Sequence, residues 1–416
     1  MNRLTKALVV TLSLVIFSYA SLGYVLGKSD DQKSYRSLGV YSEVLQRVQE
    51  EYVEEPSIPK VTAGALHGLL ESLDAMSSYL SPQEYTEYKK QISAKPAGDV
   101  GMAISKRSGY IMIVSTLPDS PAEKAGLHTG DFLESVGGFS SREMSVRQAM
   151  NLLVGAPGTA VKVAVVRRVE ARTDELTLTR AQVPPVHVAV TRLTPDTAYM
   201  RVVTLDKGKA DEIRSKLAEL DKDGVKKLVF DLRGCAMGDT PEGVAVARLL
   251  LNSGTIATLK GQTVTKQEFT ADAGKQVWKN QLVVLTSNAT SGAAEIVAAA
   301  VGGNHRGDVV GERTFGTASE QKLIEFDDGS AIYLTDAFYY TPAGKAIPEE
   351  GVVPTTEVNS QAEDAAGFSR VENPPLTPSP NDDSILSKAL EILNGGHKVA
   401  ERAPAVHRGP KIALIG

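Results

Sequence analysis

Apolar residues recur at helical spacing early in the chain, first Val40, Val44, Leu45 and Val48, then Ala63, Leu66, Leu69, Leu70 and Leu73. Residues 35–95 therefore read as a helical N-terminal segment. From 96 to 170 the pattern changes to short β-branched runs, 110–114 and 161–166, punctuated by Gly and Pro, which predicts a small β-rich domain. Across 186–358, apolar strands such as Leu228-Val229-Phe230 and Leu282-Val283-Val284-Leu285 alternate with helical stretches at 210–220 and 293–301. That alternation predicts a layered, mixed α/β core. Residues 359–416 begin with a Pro-rich polar stretch (359–383), pass through a short helix (385–393) and end in a tail expected to lack structure. No internal repeat is present.

At the amino terminus Arg3 and Lys6 precede an uncharged run of 21 residues, 7–27, which ends at Lys28, Asp30 and Asp31. Residues 1–28 read as an export signal: the run is long enough to cross a bilayer as an uncleaved anchor, and Ser18-Tyr19-Ala20 also offers a signal-peptide cleavage site. Both alternatives place the remainder outside the cytoplasm, in the periplasm or cell envelope. Charge adds one exclusion. With Lys+Arg 45 against Asp+Glu 50 there is no basic excess to track a phosphate backbone, so no nucleic-acid partner is expected. The single cysteine, Cys235, rules out an intrachain disulfide framework, and the six histidines have no ligand spacing; neither a metal nor a cofactor is expected.

Two pieces of the β-rich domain carry a recognisable physical task. Gly98-Asp99-Val100-Gly101-Met102-Ala103-Ile104 is a glycine-containing loop opening a strand, and Ser120-Pro121-Ala122-Glu123-Lys124-Ala125-Gly126-Leu127 leads to Gly130-Asp131. Together they resemble a PDZ domain. The resemblance implies a loop that aims backbone N–H groups at a peptide carboxylate and a strand edge that pairs with the peptide main chain. Val100, Gly101, Met102, Ala103 and Ile104 are then the peptide-binding positions, with Met102 and Ile104 turned toward the peptide and residues 145–153 forming the opposite wall.

Four segments of the core occur in the order seen in the C-terminal processing peptidases, the S41 serine peptidases. They are Asp231-Leu232-Arg233-Gly234, Ala293-Ala294-Glu295-Ile296, Val310-Gly311-Glu312-Arg313-Thr314-Phe315-Gly316 and Tyr339-Tyr340-Thr341-Pro342-Ala343-Gly344. With Leu73-Asp74-Ala75-Met76-Ser77-Ser78-Tyr79-Leu80 and the PDZ insert, the resemblance runs from about residue 39 to 358. It implies a serine nucleophile and a lysine base whose pKa burial must bring down from about 10.4 to near neutrality. The family serine stands three residues before the Glu of the AEI element. The lysine directly follows Thr-Phe-Gly.

In this chain those positions are Gly292 and Thr317, twenty-five apart as in the family, so the register is kept while neither functional group is present. Glycine offers no nucleophile, and a threonine hydroxyl stays protonated and cannot serve as a resting base. Gln321 matches the family glutamine that orients the lysine. The anion-stabilising loop, by resemblance built on Gly238 and Ala293, has also changed: Cys235-Ala236-Met237-Gly238 stands where the family has Asn-Pro-Gly-Gly. Ser291, one residue early, is an alternative nucleophile without a matching base; its simpler role, or that of Thr290, is to cap the helix starting near Gly292. The expectation is an impaired homologue that binds polypeptide C-termini or envelope proteins through its PDZ groove. An active S41 endopeptidase using Ser291 is the alternative, and a core acting only as a platform for homo-oligomers is a third.

Overall fold

The computed structural model describes residues 31–93, 98–107, 109–167, 172–348, 350–358 and 379–395. The expected export signal, most of the Pro-rich stretch and the C-terminal tail lie outside the described residues. Among the described residues no helix is long and apolar enough to cross a membrane. The chain divides into two compact units, residues 1–65 and 66–416. The first holds helix α1 (Asp31–Glu51), whose Leu38, Val40, Tyr41 and Val44 are exposed, and the start of α2 (Ile58–Glu71).

In the second unit the last turn of α2 is followed by a short strand β1 (Ser78–Leu80) and helix α3 (Pro82–Ser93). Next comes the β-rich domain: β2 (Met102–Arg107), β3 (Tyr110–Thr116), helix α4 (Pro121–Lys124), β4 (Phe132–Val136), β5 (Phe139–Ser140), helix α5 (Val146–Leu153), β6 (Ala160–Arg167) and β7 (Arg172–Thr179). Its sheet runs β2-β3-β4-β6-β7, with β5 on β4. Helix α5 starts at a capping box in which the Gln148 N–H donates to Ser145 Oγ (3.2 Å) and the Ser145 N–H to Gln148 Oε1 (2.7 Å). Its Val146, Ala149 and Leu153 share one apolar cluster with Val100, Ile113, Leu133 and Val163 of the sheet side.

The core follows with β8 (Ala189–Thr194), β9 (Thr197–Arg201), β10 (Thr204–Leu205), helix α6 (Lys209–Lys222), β11 (Lys227–Asp231), β12 (Met237–Gly238), helix α7 (Thr240–Leu250), β13 (Thr255–Lys260) and β14 (Gln267–Thr270). It ends with β15 (Gln281–Thr286), helix α8 (Ala293–Gly303), β16 (Asp308–Gly311), β17 (Ser319–Glu325), β18 (Ala331–Tyr340), β19 (Thr356–Glu357) and helix α9 (Ser384–Leu393). The main sheet runs β19-β16-β15-β11-β9-β8, parallel except for β8. Successive side chains leave opposite faces of a strand, so Leu228 and Phe230 pack with α6, α7 and α8 while Val229 packs under Ile385, Leu386 and Ala389 of α9. Both faces being covered explains why these strands are uniformly apolar rather than alternating.

A second, antiparallel sheet runs β1-β18-β13-β14 with β17 on β18. Its first strand is a short extended stretch within the helical N-terminal segment: Ser78, Tyr79 and Leu80 pair with Tyr333, Ile332 and Ala331 of the core. Leu80 and Ala331 are fully buried in a small cluster with Tyr85, which is the reason the segment extends there instead of coiling.

Candidate functional site

The centre is built on a strand–turn–helix corner. Strand β15 ends at Thr286, the chain turns through 287–291, and α8 starts immediately after Gly292, whose φ of 59° and ψ of −118° lie where a side chain is strained. A Cβ placed on Gly292 would have a single neighbour within 4 Å, the Thr317 hydroxyl at 3.9 Å. Positions 292 and 317 thus face each other across the corner. The serine beside them reaches the same place: Ser291 Oγ lies 2.5 Å from Thr317 Oγ1, and Ser291 is buried. Among the described residues its hydroxyl has no lysine, histidine or carboxylate as hydrogen-bond partner.

Neither Thr290 nor Ser291 caps α8, contrary to expectation. Thr290 Oγ1 accepts the Ser287 N–H (3.0 Å) and donates to the Leu232 carbonyl (2.9 Å), tying the corner to the strand beneath. The N-cap is Gly292 itself, and Glu295 provides the side-chain acceptor. That carboxylate is fully buried. It accepts the N–H groups of Gly292 (2.9 Å), Gly316 (2.7 Å) and Thr317 (2.8 Å), and the Thr314 hydroxyl. Burial raises its pKa above the ordinary carboxylate value, against the pull of those four donors. Glu295 therefore fastens the corner to the loop bearing Thr317, a role that sequence reasoning missed; the motif was visible, but the return of 316–317 onto the helix start was not.

Gln321 lies on β17 and donates to Ser319 Oγ (2.8 Å), whose own hydroxyl donates to the Thr317 carbonyl (3.0 Å). Among the described residues, its hydrogen bonds reach the Thr317 loop through that serine. On the other side, β12 pairs in parallel with β10, and a Cβ on Gly238, at φ 133°, would sit 2.4 Å from the Leu205 backbone, so glycine is required there. Met237 keeps an ordinary φ within the same strand. Ala293 is buried at the start of α8, its carbonyl so close to Gly243 of α7 that a Cβ there would meet it at 2.3 Å. Cys235 is a buried member of the core cluster, and burial pushes its thiol up to about 12, which leaves it inert as a nucleophile at neutral pH.

Beside the corner opens a cavity of about 280 Å³ lined by Asp74 and Met76 of the entry segment, Ser105 and Arg107 of β2, and Phe315 and Thr317 of the core. The Arg107 guanidinium lies 5.2 Å from the centre of the Phe315 ring. The β-rich domain is also fastened to the core directly: Ser115 Oγ, on β3, donates to the Gly234 carbonyl at 2.7 Å.

The expected peptide-binding positions fare differently. Gly101 has a φ of 74°, and a Cβ there would lie 2.4 Å from the Ser120 Cβ, so the loop glycine is dictated by backbone shape and close approach. Its N–H is held by Asp99 Oδ1 at 2.9 Å. Val100, Met102 and Ile104 are buried in the domain's own interior with residues of α5, and Met76 packs against the same cluster. Met102 and Ile104 share this cluster with Val146, Ala149 and Leu153 of α5, the helix expected to form the opposite wall of the groove. Ala103, between them, is partly exposed.

Comparison with known proteins follows the same division. Residues 196–358 match the model of peptidase family S41, and residues 91–166 match the PDZ domain. A chloroplastic C-terminal processing peptidase of Tetradesmus obliquus is 30% identical over 347 residues, covering 78% of this chain and 75% of that protein. The carboxy-terminal processing protease CtpA of Bacillus subtilis is 28% identical over 408 residues, 96% of this chain and 86% of that protein. Among solved structures, a photosystem II D1 C-terminal processing protease is similar with a TM-score of 0.65 and 28% identity, over 79% of this chain and 95% of that one.

Proposed function

The chain belongs to peptidase family S41, and we propose that within it this protein binds polypeptide without hydrolysing it, outside the cytoplasm. The observation that supports this reading most directly is the facing of positions 292 and 317, where a serine and a lysine would have to meet and a glycine and a threonine stand. Loss of an essential nucleophile in a serine peptidase costs on the order of a million-fold in turnover. Ser291 does not compensate: its hydroxyl is engaged with another hydroxyl, and a serine needs an adjacent base to attack a carbonyl.

What the family scaffold leaves for binding is a cleft between the entry segment, the PDZ strand β2 and the Thr317 loop, with apolar rings and a guanidinium on its walls. Such a mixed lining suits an extended polypeptide, either a C-terminus or an exposed segment of an envelope protein. The export-signal pattern of residues 1–28 supports the location. Localisation is checked by fractionating cells that carry a tagged chain; recovery in the cytoplasmic fraction would reject it.

The test is turnover of a flexible, unfolded protein substrate by the purified chain, with Ser291→Ala beside it. The expected result is background hydrolysis in both and retention of the substrate on the immobilised wild-type protein. Sustained cleavage by wild type that Ser291→Ala abolishes would establish the alternative, an active endopeptidase with a displaced serine.

A further inference from the structure

Arg233 lies between two carboxylates from distant parts of the chain. On one side its Nε and Nη2 donate to Asp231, at 3.0 and 2.6 Å. On the other its Nη1 and Nη2 reach Asp383 at 2.9 and 2.7 Å. Asp383 is the N-cap of α9, where its Oδ1 also accepts the Leu386 N–H at 2.9 Å. Arg201 completes the cluster, 3.2 Å from Asp231 and donating to the Arg233 carbonyl. Two guanidinium groups thus balance two carboxylates in a buried setting, and Arg201 Nε already lacks a partner among the described residues. Without Asp383 the cluster would carry an uncompensated positive charge, the costly condition for buried ions.

The same turn is where the rest of the centre converges. The Gly234 carbonyl accepts the Ser115 hydroxyl of the PDZ domain, the Cys235 carbonyl accepts the Ser291 N–H at 2.9 Å, and three residues past Cys235 lies Gly238 of β12. We propose that α9 acts as a strap: by holding Arg233 through Asp383 it fixes the turn at 232–235, and release of that contact opens the turn while the remaining core stays folded. The separate packing of α9 makes this a local event. Ile385, Leu386, Ala389 and Leu393 cover the face of the main sheet opposite α7 and α8, so α9 can loosen without disturbing the cluster on the other face.

Cys235, the only cysteine of the chain, lies buried in this turn and reports on it. The full-length chain, in detergent, is treated with dithionitrobenzoate at neutral pH across a urea series below the global transition. Asp383→Asn is expected to label about 10-fold faster than wild type or more, at a rate that rises with urea far less steeply than global unfolding, as sub-global opening requires. Asp382→Asn, an exposed neighbour bonded to Ser379, should label at the wild-type rate. Labelling of Asp383→Asn at the wild-type rate would overturn the proposal, and so would acceleration that follows urea with the slope of global unfolding. Should Asp383→Asn not fold, Leu393→Ala loosens the far end of α9 without touching the charges; a smaller increase, with a urea slope well below that of global unfolding, supports the strap, and no increase rejects it.

Discussion

Glu295 shows how much of this centre depends on one side chain. Its carboxylate accepts three backbone N–H groups and one hydroxyl, and the hydroxyl, Thr314 Oγ1, itself accepts the Val352 N–H at 2.7 Å. Thr314 therefore cannot turn its proton elsewhere. Replacing either carboxylate oxygen by an amide NH2 puts donor against donor at Gly292, Thr317 or Gly316. Glu295→Gln is thus expected to lower stability by about 2 kcal/mol in urea denaturation, despite its near-identical shape. A loss below about 0.5 kcal/mol would show that the four bonds are not jointly made. Gly101 makes the complementary case, in which sterics rule. Gly101→Ala should cost about 2–4 kcal/mol from backbone strain and overlap with Ser120. Adding Ser120→Gly removes the overlapping Cβ at the price of a modest cap loss, and should restore about half; no recovery would mean the overlap is relieved elsewhere. For the same reason a Gly101 variant is a poor probe of the peptide groove.

At the scale of elements, α3 and α5 are joined by a polar latch. Gln148 of α5 donates to Glu84 of α3, and His67, in the C-terminal half of α2, lies 3.6 Å from the same carboxylate. Burial raises the Glu84 pKa, but the His67 contact and the Ser81 backbone and hydroxyl bonds more than reverse this and bring it down to about 2. A carboxyl depressed in the folded state stabilises above its unfolded value, near 4.5, and that contribution is lost as pH falls from 4.5 toward 2. Because the group is partly solvated, about 1–2 kcal/mol is at stake. Glu84→Gln should flatten the stability profile over that window; an unchanged acid slope would reject the latch. The elements themselves were largely legible: α6, α8, β11 and β15 lie where periodicity puts them, since their burial is one- or two-sided in a regular way. Strand β1 was not, because Ser78-Tyr79-Leu80 is too short to show a period and is extended only by pairing with β18, some 250 residues away.

For the molecule as a whole, the juxtaposition of positions 292 and 317 was more legible in the sequence than the contacts that support it. Gly292 and Thr317 could be found by counting along motifs, whereas Asp383 lies in a segment of no recognisable motif, and only the fold places it against Arg233. The scaffold around positions 292 and 317 is continuous: Glu295 ties the corner to the Thr317 loop, and Gly292 has the strained φ of a residue displayed at a strand-to-helix turn. This makes re-equipment of the centre a test of the whole arrangement. Gly292→Ser places a hydroxyl-bearing Cβ opposite position 317 and should cost about 1–3 kcal/mol of stability, because φ is positive there. Thr317→Lys supplies the base. Each alone should remain at background. Together they should hydrolyse a flexible protein substrate about 100-fold above wild type, the lower range for a positioned base. Since position 317 is only partly buried, the new lysine is incompletely desolvated, so activity should climb as pH rises above neutrality and the amine loses its proton. Met237→Gly, which returns conformational freedom beside Gly238, should increase the rate further. A folded double variant that stays at the wild-type background at every pH would mean that the side chains at 292 and 317 are not what separates this corner from a hydrolytic geometry, and would direct attention to the loop bearing Met237.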